Sequence, residues 1–203
     1  GTWNSEIVPI SETMAALNKL KDEGKIRSIG VSNFSYSQLE EVCKYGVIDS
    51  LQPPYSLFWR KIERDKTRDY CVENNISILA YSPLAQGLLT GKFGKDHQFA
   101  EGDHRAKNKL FYIKENYDRV QAALEKLRPI AAKNNCSLAQ LSIAWLIAQP
   151  QTNAIVGARN TNQVLANAKA AEVKLSPEDL AEIDAIGRTV TDYLDDDPVM
   201  WDF

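Results

Sequence analysis

Four short β-prone segments, each running into a stretch of helical periodicity, limit what this chain can fold into. The strongest is 76–81, Ile76-Ser77-Ile78-Leu79-Ala80-Tyr81, rich in β-branched and apolar residues. The others are 26–31, 153–157 and, poorest by composition, Ser50-Leu51-Gln52, which Pro53-Pro54 ends sharply. Helices lie between and around them. Residues 11–23 put Met14, Leu17 and Leu20 on one face and stop at Gly24. After a cap at Ser35 or Ser37, Leu39, Val42 and Tyr45 share a face as far as Gly46. Residues 62–73 close on the turn-prone pair Asn74-Asn75. Helices over 117–134, 138–148, 161–171 and 177–187 follow, with Ser137 capping the second and Ser176-Pro177 starting the last. Strand, helix and next strand in one sheet cross over right-handedly, so this is an α/β chain with parallel strands. Two architectures satisfy the pattern: an open four-stranded doubly wound sheet, or half of a closed eight-stranded barrel. Periodicity does not separate them. At 203 residues the chain reads as one domain, 1–203, with room for a sizeable core.

Charge and composition remove several function classes. A net charge of −3 argues against a polyanion-binding surface, so no nucleic acid partner is expected. No apolar run reaches the roughly 18 residues of a membrane span, and the start, Gly1-Thr2-Trp3-Asn4-Ser5-Glu6, has no signal-peptide pattern. Cys43, Cys71 and Cys136 are odd in number and far apart, which fits reduced thiols in the cytoplasm. His97 and His104 stand in a polar, Gly-containing loop without cysteine neighbours, and read as solvated rather than metal-binding.

The segment after the best strand carries the chemistry. Tyr81-Ser82-Pro83-Leu84-Ala85-Gln86-Gly87-Leu88-Leu89-Thr90-Gly91-Lys92 brings a ring, a hydroxyl, two glycines and a lysine to one strand end. Strand carboxyl ends are where α/β proteins shape ligand sites. A ring offers a stacking face, while Ser82, loop N–H groups and Lys92 offer donors to phosphate. Gly87 to Lys92 is one residue short of a P-loop and lacks its following Ser/Thr, so the signal is a nucleotide site of another kind. The connection from 82 to about 109 has an aperiodic middle, 94–103, and its length suggests a functional flap.

Four strand ends can be read together: Gly30-Val31-Ser32-Asn33-Phe34, Leu51-Gln52-Pro53-Pro54-Tyr55, Tyr81-Ser82-Pro83-Leu84 and Ile155-Val156-Gly157-Ala158-Arg159. With Gly24-Lys25-Ile26-Arg27, Leu89-Thr90-Gly91-Lys92 and Ser137 through Trp145, they resemble the aldo-keto reductase family over nearly the whole chain. The resemblance implies a TIM (β/α)8 barrel that binds NADP across its strand ends. This chain would match the C-terminal half-barrel, strands five to eight, plus trailing helices. By position, Ser32, Asn33 and Gln52 would hold the nicotinamide carboxamide, which needs coplanar donors and an acceptor. Tyr81 would stack on the nicotinamide. Ser82, Pro83, Leu84, Gly87 and Lys92 would surround the pyrophosphate, and Arg105 would sit on the closing flap. Gly157 and Arg159 would meet the ribose and its 2′-phosphate, and Gln163 and Asn167 the adenine.

The same resemblance implies NADPH-dependent reduction of an aldehyde or ketone, through a tyrosine acid tuned by a lysine and an aspartate, with a histidine orienting the carbonyl. No segment matches the strands that carry the Asp, Tyr and Lys, and Thr2 stands at the histidine position. No catalytic residue is therefore assigned. Asp65 and Tyr70 reproduce the Asp–Tyr spacing but fall on a helix, where a solvated pair is the better reading, and Lys114, Tyr117 and Asp118 are neighbours in sequence only. The alternatives are a non-catalytic NADPH-binding regulatory module and a half-barrel interaction element. A half-barrel is expected to expose two strand edges and an apolar inner face, and so to complete a barrel with a partner or form a homodimer. Trp3, Trp59 and Trp201 are candidate walls of the substrate pocket.

Overall fold

A computed structural model of the chain describes residues 8–94 and 96–194. Four strands, β1 (Gly30–Ser32), β2 (Ser50–Gln52), β3 (Ser77–Ala80) and β4 (Thr152–Ala154), form one sheet in the order β1-β2-β3-β4, every pair parallel. A doubly wound sheet reverses strand order at a switch point. Here the order never reverses, so each right-handed crossover steps the same way and the helices fall on one face. That is the geometry of a stretch of barrel wall.

The helices are α1 (Ile10–Asp22), α2 (Tyr36–Val42), α3 (Lys61–Arg64), α4 (Thr67–Glu73), α5 (Lys109–Tyr112), α6 (Lys114–Lys133), α7 (Leu138–Ile147), α8 (Thr161–Lys169) and α9 (Pro177–Thr191). Side-chain caps start several of them. Ser35 and Gln38 form a reciprocal capping box on α2, as Ser137 and Gln140 do on α7. Gly24, at φ +69°, turns the chain out of α1. Leu51, Ile78 and Ala80 point into a continuous core with Leu39, Leu88, Val120, Leu127, Leu141, Trp145 and Ile183.

Several sequence expectations shift for identifiable reasons. The strand expected over 26–31 forms only at Gly30–Ser32. Before it, the Asp49 carboxylate accepts the Ile29 N–H at 2.7 Å, taking a ladder position with a side chain. The weak segment 50–52 is an inner strand, because Leu51 is fully buried and both neighbours pair with it. The helix expected over 62–73 breaks into α3 and α4 at Lys66, which takes φ +65°, while Asp65 accepts the Thr67 N–H at 3.0 Å. Tyr45 lies beyond α2 and is exposed. Tyr70 packs partly buried, edge-on to Tyr36, rather than forming a solvated pair with Asp65. α9 runs past Gly187 to Thr191. A Cβ on Gly187 would lie 2.6 Å from Leu57 Cδ1 and 2.9 Å from its carbonyl oxygen, so this glycine serves close packing. Trp59 is buried in the core and does not line the cleft at the carboxyl ends of β3 and β4. Thr2, Trp3, the 195–198 tail and Trp201 lie outside the described residues.

The uncovered face of the sheet also differs from expectation. Register pairs Gly30 with Ser50, Ser50 with Ser77, Ser32 with Gln52 and Leu79 with Asn153. These residues alternate with the core-facing row of Val31, partly buried, and Leu51 and Ile78, fully buried, so they face the other way. Leu79 is the one large apolar side chain among them. The face expected to be apolar is mostly small and polar.

One buried polar network braces the loop after β2. Arg60, 4% exposed, donates through Nε to Glu63 Oε1 at 3.0 Å and through a terminal nitrogen to Glu63 Oε2 and Asp184 Oδ1, while its plane lies over Trp145. The Tyr55 hydroxyl donates to Glu63 at 2.6 Å, and the Tyr55 N–H to the Tyr81 carbonyl at 3.2 Å. The network thereby fixes the loop that runs beside Tyr81.

Candidate functional site

The carboxyl ends of β3 and β4 open onto a cleft of about 610 Å³. Its walls are the loop after β3, the loop 155–159 after β4, one face of α8, and Arg105 reaching in from the long connection. Ser82, Pro83, Leu84, Gly87, Lys92, Arg105, Gly157, Arg159, Gln163 and Asn167 all line it. Among the described residues, three cations border the cleft and no carboxylate does.

The loop after β3 holds an unusual backbone. Ser82, Ala85 and Gln86 take φ of +52°, +47° and +56°, and Gly87 follows at +99°. Left-handed non-glycine residues are sterically disfavoured and tend to mark sites where the surroundings enforce them. The turns are closed by Ala85 N–H to the Ser82 carbonyl and Gly87 N–H to the Leu84 carbonyl, each 2.9 Å, and by the Thr90 hydroxyl to the Gly87 carbonyl at 2.6 Å. The N–H groups of Ser82 and Leu84 donate to no described residue. They are available to an anion in the cleft.

The three cations are not equivalent. Lys92 and the Arg159 guanidinium meet no carboxylate among the described residues, whereas Arg105 is already clamped in a two-pronged pair with Asp103. That pair holds the Asp103 carboxyl far below the usual carboxylate range. Arg105 therefore brings a fork whose charge is balanced by its own neighbour, and the net positive charge of the cleft comes from Lys92 and Arg159.

Two residues expected at adenine also have a local task. Gln163 Oε1 accepts the Arg159 N–H at 2.7 Å, and Asn167 Nδ2 donates to the Gly157 carbonyl at 3.3 Å. Both amides brace the loop from one face of α8, and the Gln163 amide nitrogen and the Asn167 carbonyl oxygen meet no partner among the described residues. Gly157 itself has no steric reason to be glycine. Its φ is outside the left-handed range, and a Cβ there would meet no protein atom within 4 Å.

Ser32, Asn33, Gln52 and Tyr81 do not line this cleft. They sit side by side at the ends of β1, β2 and β3 and are joined to one another. Ser32 Oγ donates to the Gln52 carbonyl at 2.9 Å, the Asn33 N–H to the same oxygen at 3.1 Å, and the Tyr81 hydroxyl to Asn33 Oδ1 at 3.1 Å. Burial pushes the Tyr81 phenol up, so Tyr81 is a protonated donor at neutral pH, as its bond to Asn33 Oδ1 requires. The bond also leaves the Asn33 amide nitrogen as a free donor beside the ring.

Cleft residues not anticipated from sequence are Gln86, Thr90, Ala139, Ile155, Val156, Ala158 and Ala166. Gln86 and Thr90 lie inside the conspicuous loop. Ala139 and Ala166 are small residues on α7 and α8 that nothing local distinguishes from packing alanines. Lys114 and Asp118 form an i,i+4 pair on an exposed face and Tyr117 donates to the Gly94 carbonyl at 2.8 Å; all three border a second, open cleft of about 900 Å³ between α6 and Gly91, Phe93, Gly94 and Asp96, away from the strand ends. His97 is exposed, as expected, and its ring also lies against Phe93, tilted, and Phe99, edge-on. Among the described residues, no cluster of three or more His, Cys, Asp or Glu is placed to hold a metal ion, and no helix is long and apolar enough to cross a membrane.

The sequence model of the aldo/keto reductase family matches residues 2–188. The chain belongs to that family. It is 39% identical over 172 residues to an NADH-specific methylglyoxal reductase of Escherichia coli, covering 84% of this chain and 52% of that one. Among solved structures it is similar to a glycerol dehydrogenase from Gluconobacter oxydans, at 34% identity and TM-score 0.86, covering 95% of this chain and 59% of the other. An aldo/keto reductase from Klebsiella pneumoniae, solved with NADP and acetate, superposes with TM-score 0.64 at 29% identity, covering 91% of this chain and 56% of the other. The chain spans about half the length of the curated aldo/keto reductase relatives it matches.

Proposed function

We propose that the cleft is the seat of NADPH, and that this chain carries the cofactor-binding wall of a reductase acting on an aldehyde or ketone. The observation that carries the reading is a cleft bordered by cations without carboxylates, beside a glycine whose missing side chain leaves open space. Lys92, Gly87, Pro83 and the N–H groups of Ser82 and Leu84 would hold the pyrophosphate, with Arg105 beside them. Arg159 and Gly157 would take the ribose and its 2′-phosphate, and Gln163 and Asn167 the adenine edge. Tyr81 would stack on the nicotinamide, whose carboxamide would meet Ser32, Asn33 and Gln52. When bound, NADPH supplies the hydride. The residues named here bind and orient it, and Tyr81 limits which ring face is open. A coenzyme without the 2′-phosphate serves one relative. The unpaired Arg159 fork favours the phosphorylated form here.

We further infer that the single domain 1–203 contributes strands five to eight of a barrel. The unreversed strand order supports this, as does a match to about half of each relative. Among the described residues the outer edges of β1 and β4 are unpaired, so a complementary half-barrel or a second copy is the partner that would close the sheet. The acid that protonates the carbonyl is assigned to no residue of this chain. A cleft with a cofactor seat and no general acid also suits a non-catalytic NADPH sensor. Three free thiols suit a cytoplasmic setting for either.

Fluorescence titration tests the cofactor seat. NADPH is expected to bind saturably, and Arg159→Leu to weaken NADPH roughly tenfold while barely changing NADH, the scale of one charge-assisted contact at a half-exposed site. Equal losses for both coenzymes, or no saturation at millimolar NADPH, would sink the reading. Turnover of a generic aldehyde, with and without a supplied N-terminal half, separates reductase from sensor.

A further inference from the structure

Phe93 is buried, at 5% exposure, yet it lies outside the main hydrophobic core. What buries it is the long connection itself. Its ring stands 5.4 Å from Phe99 and 5.5 Å from Phe111, both edge-on, and 4.5 Å from His97. Two of the three cleft cations rest on the same ring. The Lys92 ammonium is 4.8 Å from its centroid and the Arg105 guanidinium 5.4 Å. Helix α6 pins the main chain beneath, with Gln121 Nε2 donating to the Phe93 carbonyl at 3.1 Å and the Tyr117 hydroxyl to the Gly94 carbonyl. On the cleft side, a Cβ at Gly87 would come within 3.2 Å of the ring edge.

The geometry points to Phe93 as a positioning residue. Its ring holds Lys92 and Arg105 at the cleft wall, so that the anionic middle of a dinucleotide meets cations already in place. This rests on the NADPH reading above. A lysine loses many rotamers when it binds an anion, and a cation held over an aromatic face is partly ordered beforehand. The ring adds a second constraint, because Gly87 brings the loop after β3 against its edge. Loop and Lys92 thus share one side chain that does not itself line the cleft, while Arg105 is held by that ring together with Asp103 and Phe99, whose ring centroid it approaches to 4.8 Å.

A binding cycle on the 203-residue chain tests this, with NADPH affinity read by fluorescence and folding by thermal melt. Phe93→Leu is expected to raise the NADPH Kd roughly tenfold, the scale of losing one or two partly exposed cation–π contacts. Phe93→Tyr keeps the aromatic face and is expected to stay within about twofold of the parent. Lys92→Met is expected to weaken binding by a similar factor, but to cost at least threefold less when Phe93 is already Leu, since the ring acts through the lysine. Should Phe93→Leu not fold, Phe93→Met keeps the volume and enters the same cycle. If Lys92→Met weakens NADPH while Phe93→Leu does not, or if the two losses simply multiply, the positioning role is overturned and the cofactor seat stands. If the parent chain shows no saturable NADPH binding, the seat falls and the role of Phe93 with it.

Discussion

Gly157→Ala separates a glycine kept for the chain from one kept for a ligand. The backbone at 157 is outside the left-handed region, and a Cβ built there meets nothing within 4 Å. A methyl group therefore adds no strain, and it removes unfolded-state freedom worth about 0.4–1 kcal/mol. Stability is expected to rise by that amount, which for a chain of this length is roughly 1–4 °C in Tm. The same methyl enters the cleft that would hold the ribose and its phosphate. Forcing it between a ligand and the wall costs about 1–3 kcal/mol, a rise of roughly 5- to 150-fold in NADPH Kd. Gly187→Ala is the matched control, because its Cβ would collide with Leu57 inside the fold. That substitution is expected to destabilise, by about 1–3 kcal/mol of overpacking less the roughly 1 kcal/mol that alanine adds to a helix, and to leave Kd unchanged. Urea melts and NADPH titrations on both variants decide the matter. A Gly157→Ala chain that is more stable and binds NADPH like the parent refutes the placement of the ligand against this loop. One that is destabilised by more than about 1 kcal/mol refutes the steric argument.

Arg60→Met leaves Glu63 and Asp184 without their buried partner, a change that typically costs about 3–5 kcal/mol. Arg68 at 3.5 Å and Arg188 at 3.8 Å from Glu63 soften it toward the lower end; a urea-measured loss under about 1 kcal/mol would contradict the network's role. Acid should unfold the protein through five carboxyls held below their usual range: Asp49 by the Ile29 N–H and Lys21, Asp103 by Arg105, Glu178 by its own backbone N–H and the Ser176 hydroxyl, Asp179 by Lys133 and Asn134, and Asp184 by Arg60 and Arg188 against the upward push of burial. Depressed folded pKa values mean that this stability is complete above the unfolded carboxylate value near 4 and lost as pH falls through the folded ones. The urea midpoint is expected to hold from pH 7 to about 5 and to drop below about 4, and a flat profile to pH 3 would refute the assignment. Cys71 is fully buried and burial pushes its thiol up to about 12. A thiol reagent at pH 8 is expected to reach Cys43 and Cys136 in the native chain and Cys71 only after urea, so reaction of all three without denaturant would place Cys71 elsewhere.

How much of this was legible beforehand depended on where each signal sits in the chain. The run 76–81 and the loop that follows announce themselves locally, through β-branched residues and then Ser-Pro, Gly-Leu and Thr-Gly-Lys. The structure sets that loop at a cleft, with its backbone in left-handed turns. β2 shows no comparable signal, because Ser50-Leu51-Gln52 is a strand only through Leu51 in the core and pairing on both sides. The break between α3 and α4 turns on a lysine in a left-handed conformation, which no propensity scale foresees. Ala139 and Ala166 acquire their places only when distant segments meet, and Phe93 only when the aperiodic connection folds back on itself. The expectation of an apolar inner face went wrong for a different reason. A three-residue strand contributes one residue to the core and two to the other face, too few for a period of two to register. The generic barrel interior then filled the gap with branched apolar side chains. In this chain Gly30, Ser50 and Ser77 form one row of that face, and a Cβ on Gly30 would come within 2.4 Å of Ser50 Oγ. So tight a row leaves little side chain for a partner to bury; among the described residues the outer main-chain edges of β1 and β4 are unpaired, and those are what the proposed partner would meet.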